Sequence, residues 1–137
     1  MTAFVDSSAF YAVADVKDRA HARAKTLLAE NQPLVTSDHV VVETWLLINS
    51  RLSFSAAEKF LSAVAAGPVG IEPVTLTDLE KAIGIAGIFK DQTFSVVDRT
   101  SFSIMERLGL GTAIAFDDDF LIYRFGPKRK SALEVLR

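Results

Sequence analysis

Thr2-Ala3-Phe4-Val5-Asp6-Ser7-Ser8-Ala9-Phe10 carries three structural instructions in one short run. Thr2 to Val5 reads as a strand. Asp6-Ser7-Ser8 ends it and offers side-chain oxygens that can cap a helix, which Ala9 to Ala14 then continues. An acid therefore stands at a strand-to-helix junction with apolar residues on both sides. Working outward, the same alternation repeats. Asp18 opens a helix through about Glu30, and Leu34-Val35-Thr36 is the next strand. Ser37-Asp38 caps a helix to about Arg51, and Ser53 or Ser55 starts another, stopped by Gly67-Pro68. Val69 to Val74 is a strand whose Gly and Pro place it near a sheet edge. Thr77-x-x-Glu80 reads as a capping box for a helix to about Phe89. Val97 to Leu108 is helical, ended by Gly109 and Gly111. Thr112 to Phe116 is a strand, and Ala132 to Leu136 a short last one. Strands separated by helices predict an α/β/α sandwich around a mostly parallel sheet of four to five strands, in one domain over residues 1–137.

The chain has 137 residues, half of them hydrophobic, which suffices for a core without disulfides or structural metal. It has no cysteine, so thiol nucleophiles and zinc–thiolate sites are excluded, and a reducing cytoplasm is expected. No targeting signal or membrane span is expected. The net charge of -2 argues against a protein that coats nucleic acid. It does not argue against a nuclease whose own site is made of carboxylates.

Four of the seventeen acids keep apolar company. Asp6 follows Phe4-Val5, Glu43 lies inside Val40-Val41-Val42-Glu43-Thr44-Trp45-Leu46, Asp98 follows Val96-Val97, and Asp117 follows Ile114-Ala115-Phe116. The helix around Glu43 is apolar nearly all round and should be mostly buried. No Lys or Arg lies between Leu34 and Ser50 to pair with it. A lone buried carboxylate is costly unless it is paired or binds metal. Asp6 and Asp117 end strands, Asp98 opens a helix, and Glu43 is about 7–8 Å along its helix from Asp38. All four can meet over the C-terminal edge of a parallel sheet, where such folds bind ligands. Clustered oxygen ligands suit Mg²⁺ or Mn²⁺, which activate water for phosphodiester hydrolysis.

In these residues the chain resembles the PIN domains, and most closely the toxin ribonucleases of bacterial VapBC toxin–antitoxin systems. The matching segments are Phe4-Val5-Asp6-Ser7-Ser8-Ala9-Phe10-Tyr11, Val42-Glu43-Thr44, Ser95-Val96-Val97-Asp98-Arg99-Thr100-Ser101-Phe102 and Ala115-Phe116-Asp117-Asp118-Asp119-Phe120. The resemblance implies a metal-dependent endoribonuclease, usually dimeric, silenced by a small antitoxin. It places metal ligands at Asp6, Glu43, Asp98 and Asp117, with Asp119 as a fifth acid. Many relatives carry Ser or Thr at the position of Ala115, so a hydroxyl at the site must come from elsewhere, with Ser7 the candidate. Ser7 and Arg99 are candidate RNA contacts. Lys128-Arg129-Lys130 is either a phosphate contact or a solvated basic tail. Phe54, Phe60, Leu61 and Val64 read as core, part of which can serve a dimer or antitoxin. An antitoxin docking there could send an Arg or Lys toward Asp6 and Asp98.

Other functions fit less well. A receiver-type phosphotransfer domain needs a Lys near the strand at Thr112 to Phe116, and none is there. A haloacid-dehalogenase-like phosphatase needs an acid where Ser8 stands. An inactive PIN-fold binding module and a PIN nuclease of RNA processing are the remaining alternatives.

Overall fold

The computed structural model describes residues 2–137. The first half runs β1 (Ala3–Val5), α1 (Ser7–Ala14), α2 (His21–Glu30), β2 (Leu34–Ser37), α3 (Asp38–Arg51), α4 (Phe54–Ala66) and β3 (Gly70–Glu72). The second half runs α5 (Leu76–Ile88), α6 (Val96–Leu108), β4 (Thr112–Ile114), α7 (Asp119–Ile122), β5 (Arg124–Phe125), β6 (Ser131–Ala132) and β7 (Glu134–Leu136). Five strands form one sheet in the order β3-β2-β1-β4-β7, every pairing parallel. Helices flank it, as the alternation predicts. β1 is central, and Ala3, Phe4 and Val5 are fully buried, the pattern of a strand covered on both faces. β3 is at the edge, as its Gly and Pro suggest. No helix among the described residues is long and apolar enough to cross a membrane.

Most boundaries follow local chemistry. Ser37, Ser53 and Ser95 cap α3, α4 and α6 by accepting from Val40, Ala56 and Asp98 backbone N–H groups. Gly109 ends α6 in the left-handed conformation that glycine adopts freely.

Several expectations are corrected. The capping box of α5 is Thr75 with Asp78, two residues before the expected Thr77 and Glu80. The helix α3 is not buried all round: Val42 and Leu46 are exposed and Glu43 is half-buried. Phe54 is 64% exposed, stacked edge-on against Trp45 rather than packed in the core, and Leu61 is also exposed. The last strand is split, because β6 turns back to pair antiparallel with β5 before β7 joins the main sheet. The short helix α7 and this hairpin were not visible as sequence patterns. Their runs are too short to show a period.

Asp78, which sits in a polar sequence context, is buried. It accepts from the Thr75 backbone N–H (2.9 Å), from Ser103 Oγ (2.7 Å) and from Arg107 through Nε and Nη2 (3.1 Å each). Arg107 also reaches Glu72 (2.8 Å) and the Pro73 carbonyl (3.1 Å). One guanidinium thus ties the end of β3, the start of α5 and the end of α6 in a bidentate clamp. Burial alone would raise the Asp78 carboxyl, but Arg107 and the other donors hold it down to about 2. Arg107→Ala should cost about 2–3 kcal/mol in denaturant unfolding, less than for a fully dry pair because Arg107 is partly exposed. A depressed carboxyl adds stability that is present above its unfolded value of 3.8 and lost as pH falls through about 2. The stability gap between wild type and Asp78→Asn should therefore shrink over that interval.

Candidate active site

The acids from four different elements gather on the C-terminal side of the sheet. Asp6 leaves β1 with its N–H bonded to the Ile114 carbonyl at 3.0 Å, extending the β1–β4 ladder by one residue. It caps α1, and its Oδ2 accepts from the Ser8 N–H (3.2 Å) and Ser8 Oγ (2.6 Å). Ser8 Oγ in turn accepts from the Phe116 N–H at 2.9 Å. One hydroxyl thus joins Asp6 to the loop that carries Asp117. Glu43 projects from α3, where its Oε1 accepts from Ser7 Oγ at 2.5 Å. Asp98 lies in the first turn of α6 and is buried, while Asp119 opens α7 and Asp117 is exposed.

Three of these carboxyls, on Asp6, Asp98 and Asp117, are raised. Burial pushes the Asp6 carboxyl up to about 6 against the hydrogen bonds from Ser8, and the charge of Asp117 adds to the rise. Asp98 is pushed well above the ordinary carboxylate range by burial, by a hydrogen bond with Asp119 and by the charges of Asp6, Asp119 and Glu43. Asp117 is raised by the protein around it and by Asp119 and Asp118, opposed by Arg137 and Arg51. Arg51 and Arg137 act on Asp117, but among the described residues no ion pair reaches Asp6, Glu43 or Asp98, the reverse of the arrangement at Asp78.

The cluster also fits a cation at Asp6. Asp6 is fully buried, and its Oδ1 has no hydrogen-bond partner among the described residues, a costly state for a carboxylate oxygen. All available donors are oxygens, the set that suits Mg²⁺ or Mn²⁺. As placed, no three His, Asp or Glu side chains among the described residues close round a single point.

The other candidates divide. Ser7 is buried against Glu43, so a hydroxyl is present at the site although position 115 is alanine. Arg99 directs Nε to the Phe94 and Ser95 carbonyls (3.1 and 3.3 Å) and Nη1 to the Ala82 carbonyl (2.8 Å), joining α5 to the start of α6. Ser8 was missed by sequence reasoning. Its position two residues after Asp6, within reach of the cap acceptor, was the available signal. Two cations on the Asp117 side were missed as well. Arg51 lies 5.1 Å over the Tyr11 ring, and Arg137 pairs with Asp118 at 3.0 Å. Only the parallel pairing of β7 beside β4 brings Arg137 there.

The family model described as PIN domain matches residues 3–126. The 23S rRNA-specific endonuclease VapC20 of Mycobacterium tuberculosis is 38% identical over 118 residues, spanning 85% of this chain and 90% of that protein. The crystal structure of VapC20, described as a sarcin–ricin loop cleaving toxin, superposes with a TM-score of 0.81 at 35% identity over 87% of this chain and 92% of that one. A toxin–antitoxin complex from Klebsiella pneumoniae (TM-score 0.61, 15% identity, 85% and 88% covered) shares the fold. So does PAE2754 from Pyrobaculum aerophilum (0.65, 19%, 98% and 89%).

Mutual repulsion has a measurable consequence. In chelator near neutral pH, Asp98→Asn should unfold at higher denaturant than wild type by about 1–3 kcal/mol, because the wild-type carboxyl must take up a proton on folding or stay charged among like charges. A loss of stability instead would mean that the Asp98 charge is satisfied within the protein.

Proposed function

The chain belongs to the PIN domain family, and we propose that it is the toxin endoribonuclease of a toxin–antitoxin pair, cutting ribosomal RNA with divalent metal held by Asp6, Glu43, Asp98 and Asp117. The observation that carries the chemistry is the buried Asp6 carboxylate, with one oxygen unpartnered and other acids around it. The relative that carries the substrate class is VapC20, alike over most of both chains.

Mg²⁺ or Mn²⁺ bound there would activate water and offset charge on the phosphate under attack. The protein's own contribution is placement. Ser8 fixes Asp6 Oδ2 and leaves Oδ1 free to ligate. Ser7 orients Glu43. Asp119 adds a fifth carboxylate beside Asp98. Arg51 and Arg137 flank the Asp117 side, where they can meet RNA phosphates.

An antitoxin is the partner in this reading. A groove of about 550 Å³ runs between α1, α2 and α4, lined by Phe10, Val13, Leu28, Phe60, Val64 and Val69 among others. It includes Phe60 and Val64 of the expected docking face, but Phe54 lies elsewhere, against Trp45. An apolar helix or strand of the antitoxin fits there, and a cation carried with it would compete for the carboxylates. Leu76, Ile83 and Val96 remain exposed for a homodimer, and the cytoplasm is the expected compartment.

Brief expression of the wild-type chain should give new ends in 23S rRNA on end-mapping. Asp6→Asn and Asp98→Asn should lower cutting by about 10²-fold or more while remaining folded, and chelator should silence the wild type until Mg²⁺ or Mn²⁺ is restored. Full cutting in chelator would overturn the metal reading, and intact ribosomal RNA would overturn the substrate. A charge set into the groove, Ala63→Glu, should release a co-expressed antitoxin on size-exclusion chromatography and leave RNA cleavage intact.

A further inference from the structure

The hairpin of β5 and β6 stands apart from the main sheet, paired only with itself through Arg124↔Ala132 and Phe125↔Ser131. Its tip, Pro127–Arg129, is a single turn of 3-10 helix followed by Lys130. Lys128, Arg129 and Lys130 are consecutive, all exposed, and none pairs with an acid among the described residues. Lys128 and Arg129 hold left-handed backbone angles, φ 55° and 51°, which cost energy in residues with a Cβ. Gly126 at φ 74° starts the turn, where a Cβ would crowd Ser131 Oγ at 3.2 Å. The core does not need this tip: none of its residues is buried. A strained, unpaired basic tip on an acidic chain is an arrangement for binding an external polyanion.

Its location is equally specific. The hairpin follows Tyr123, which is stacked on Phe102 and whose hydroxyl donates to Glu106 near the far end of α6. Glu106 lies about 12 Å along that helix from Asp98. The β4–β7 register likewise puts the exit of the hairpin at the opposite end of the sheet from the carboxylates, since Glu134 pairs with Thr112. Both ends of the hairpin thus lie away from the carboxylate cluster.

We propose that the Lys128-Arg129-Lys130 tip is a second RNA-contact site, which grips backbone phosphates of the folded substrate away from the cut. This rests on the ribonuclease reading and deepens it. The catalytic carboxylates repel RNA, and the tip supplies attraction at a distance where it does not neutralise them. It reads phosphate and not sequence, so it adds affinity for a large structured RNA and nothing for a short strand that covers only the cleavage site.

The test measures anisotropy of a labelled ribosomal RNA hairpin and of a short single strand, across a salt series, with cleavage followed in parallel. Lys128→Ala/Arg129→Ala/Lys130→Ala should weaken hairpin binding about tenfold near 0.1 M salt and lower the log–log salt slope by about two. It should leave cleavage of the short strand unchanged. A charge-matched control, Lys17→Ala/Lys25→Ala/Lys90→Ala, should bind as wild type. Lys128→Gly/Arg129→Gly should bind as weakly as two lost cations require while melting no lower than wild type, since the left-handed strain is relieved. Equal hairpin binding by wild type and the tip variant overturns the proposal, as does an equal loss in the control. A wild type that neither binds nor cuts RNA instead overturns the ribonuclease reading itself.

Discussion

The Ser8 hydroxyl and N–H hold one oxygen of Asp6 at the exit of a strand that water does not reach, and the other oxygen has no donor among the described residues. A carboxylate in that position constrains everything near it. The central strand must be long enough to deliver it, the neighbouring strand must end level with it, and α1 must begin at once to cap it. The Asp6 N–H to Ile114 and the Phe116 N–H to Ser8 show β4 meeting that requirement. Glu43, Asp98 and Asp119 then arrive from α3, α6 and α7, each adding negative charge to a place that already disfavours it.

Two kinds of buried aspartate make the point by contrast. Asp78 and Asp98 each lie in the first turn of a helix, and both are buried. Asp78 is surrounded by donors and a guanidinium and is held down to about 2. Asp98 has acids for neighbours and is driven up. Burial is common to both, so the neighbours decide the sign. A buried acid that the protein satisfies serves the fold, whereas one that it leaves among like charges is a candidate for function.

The sequence made the strand-helix alternation, the sheet class and the edge position of β3 legible, because each follows from local composition. It also made the acids conspicuous, since Asp6 and Asp98 break apolar runs. It hid Asp78, whose burial comes from Ser103 and Arg107, some 25 and 29 residues away. It suggested a mostly buried α3, yet Val42 and Leu46 face outward, because apolar content does not say whether a partner covers a face. Arg137 beside Asp118 depends on β7 pairing with β4, a tertiary choice that no periodicity announces. The hairpin escaped for a different reason: two-residue strands carry no pattern.

The helix α1 is only eight residues long, yet it serves two surfaces at once. Ser7 and Ser8 at its start position Glu43 and Asp6, while Phe10, Val13 and Ala14 line the apolar groove. A helix this short moves as one piece, so a substitution that shifts its groove side also shifts its hydroxyls. The α1 wall of the groove is therefore coupled to the acids. Ala56, Lys59 and Ala63 on α4 form the opposite wall and touch none of the acids, which leaves them free to vary. Substitutions confined to α4 can therefore reshape the groove and leave the placement of Asp6 and Glu43 untouched.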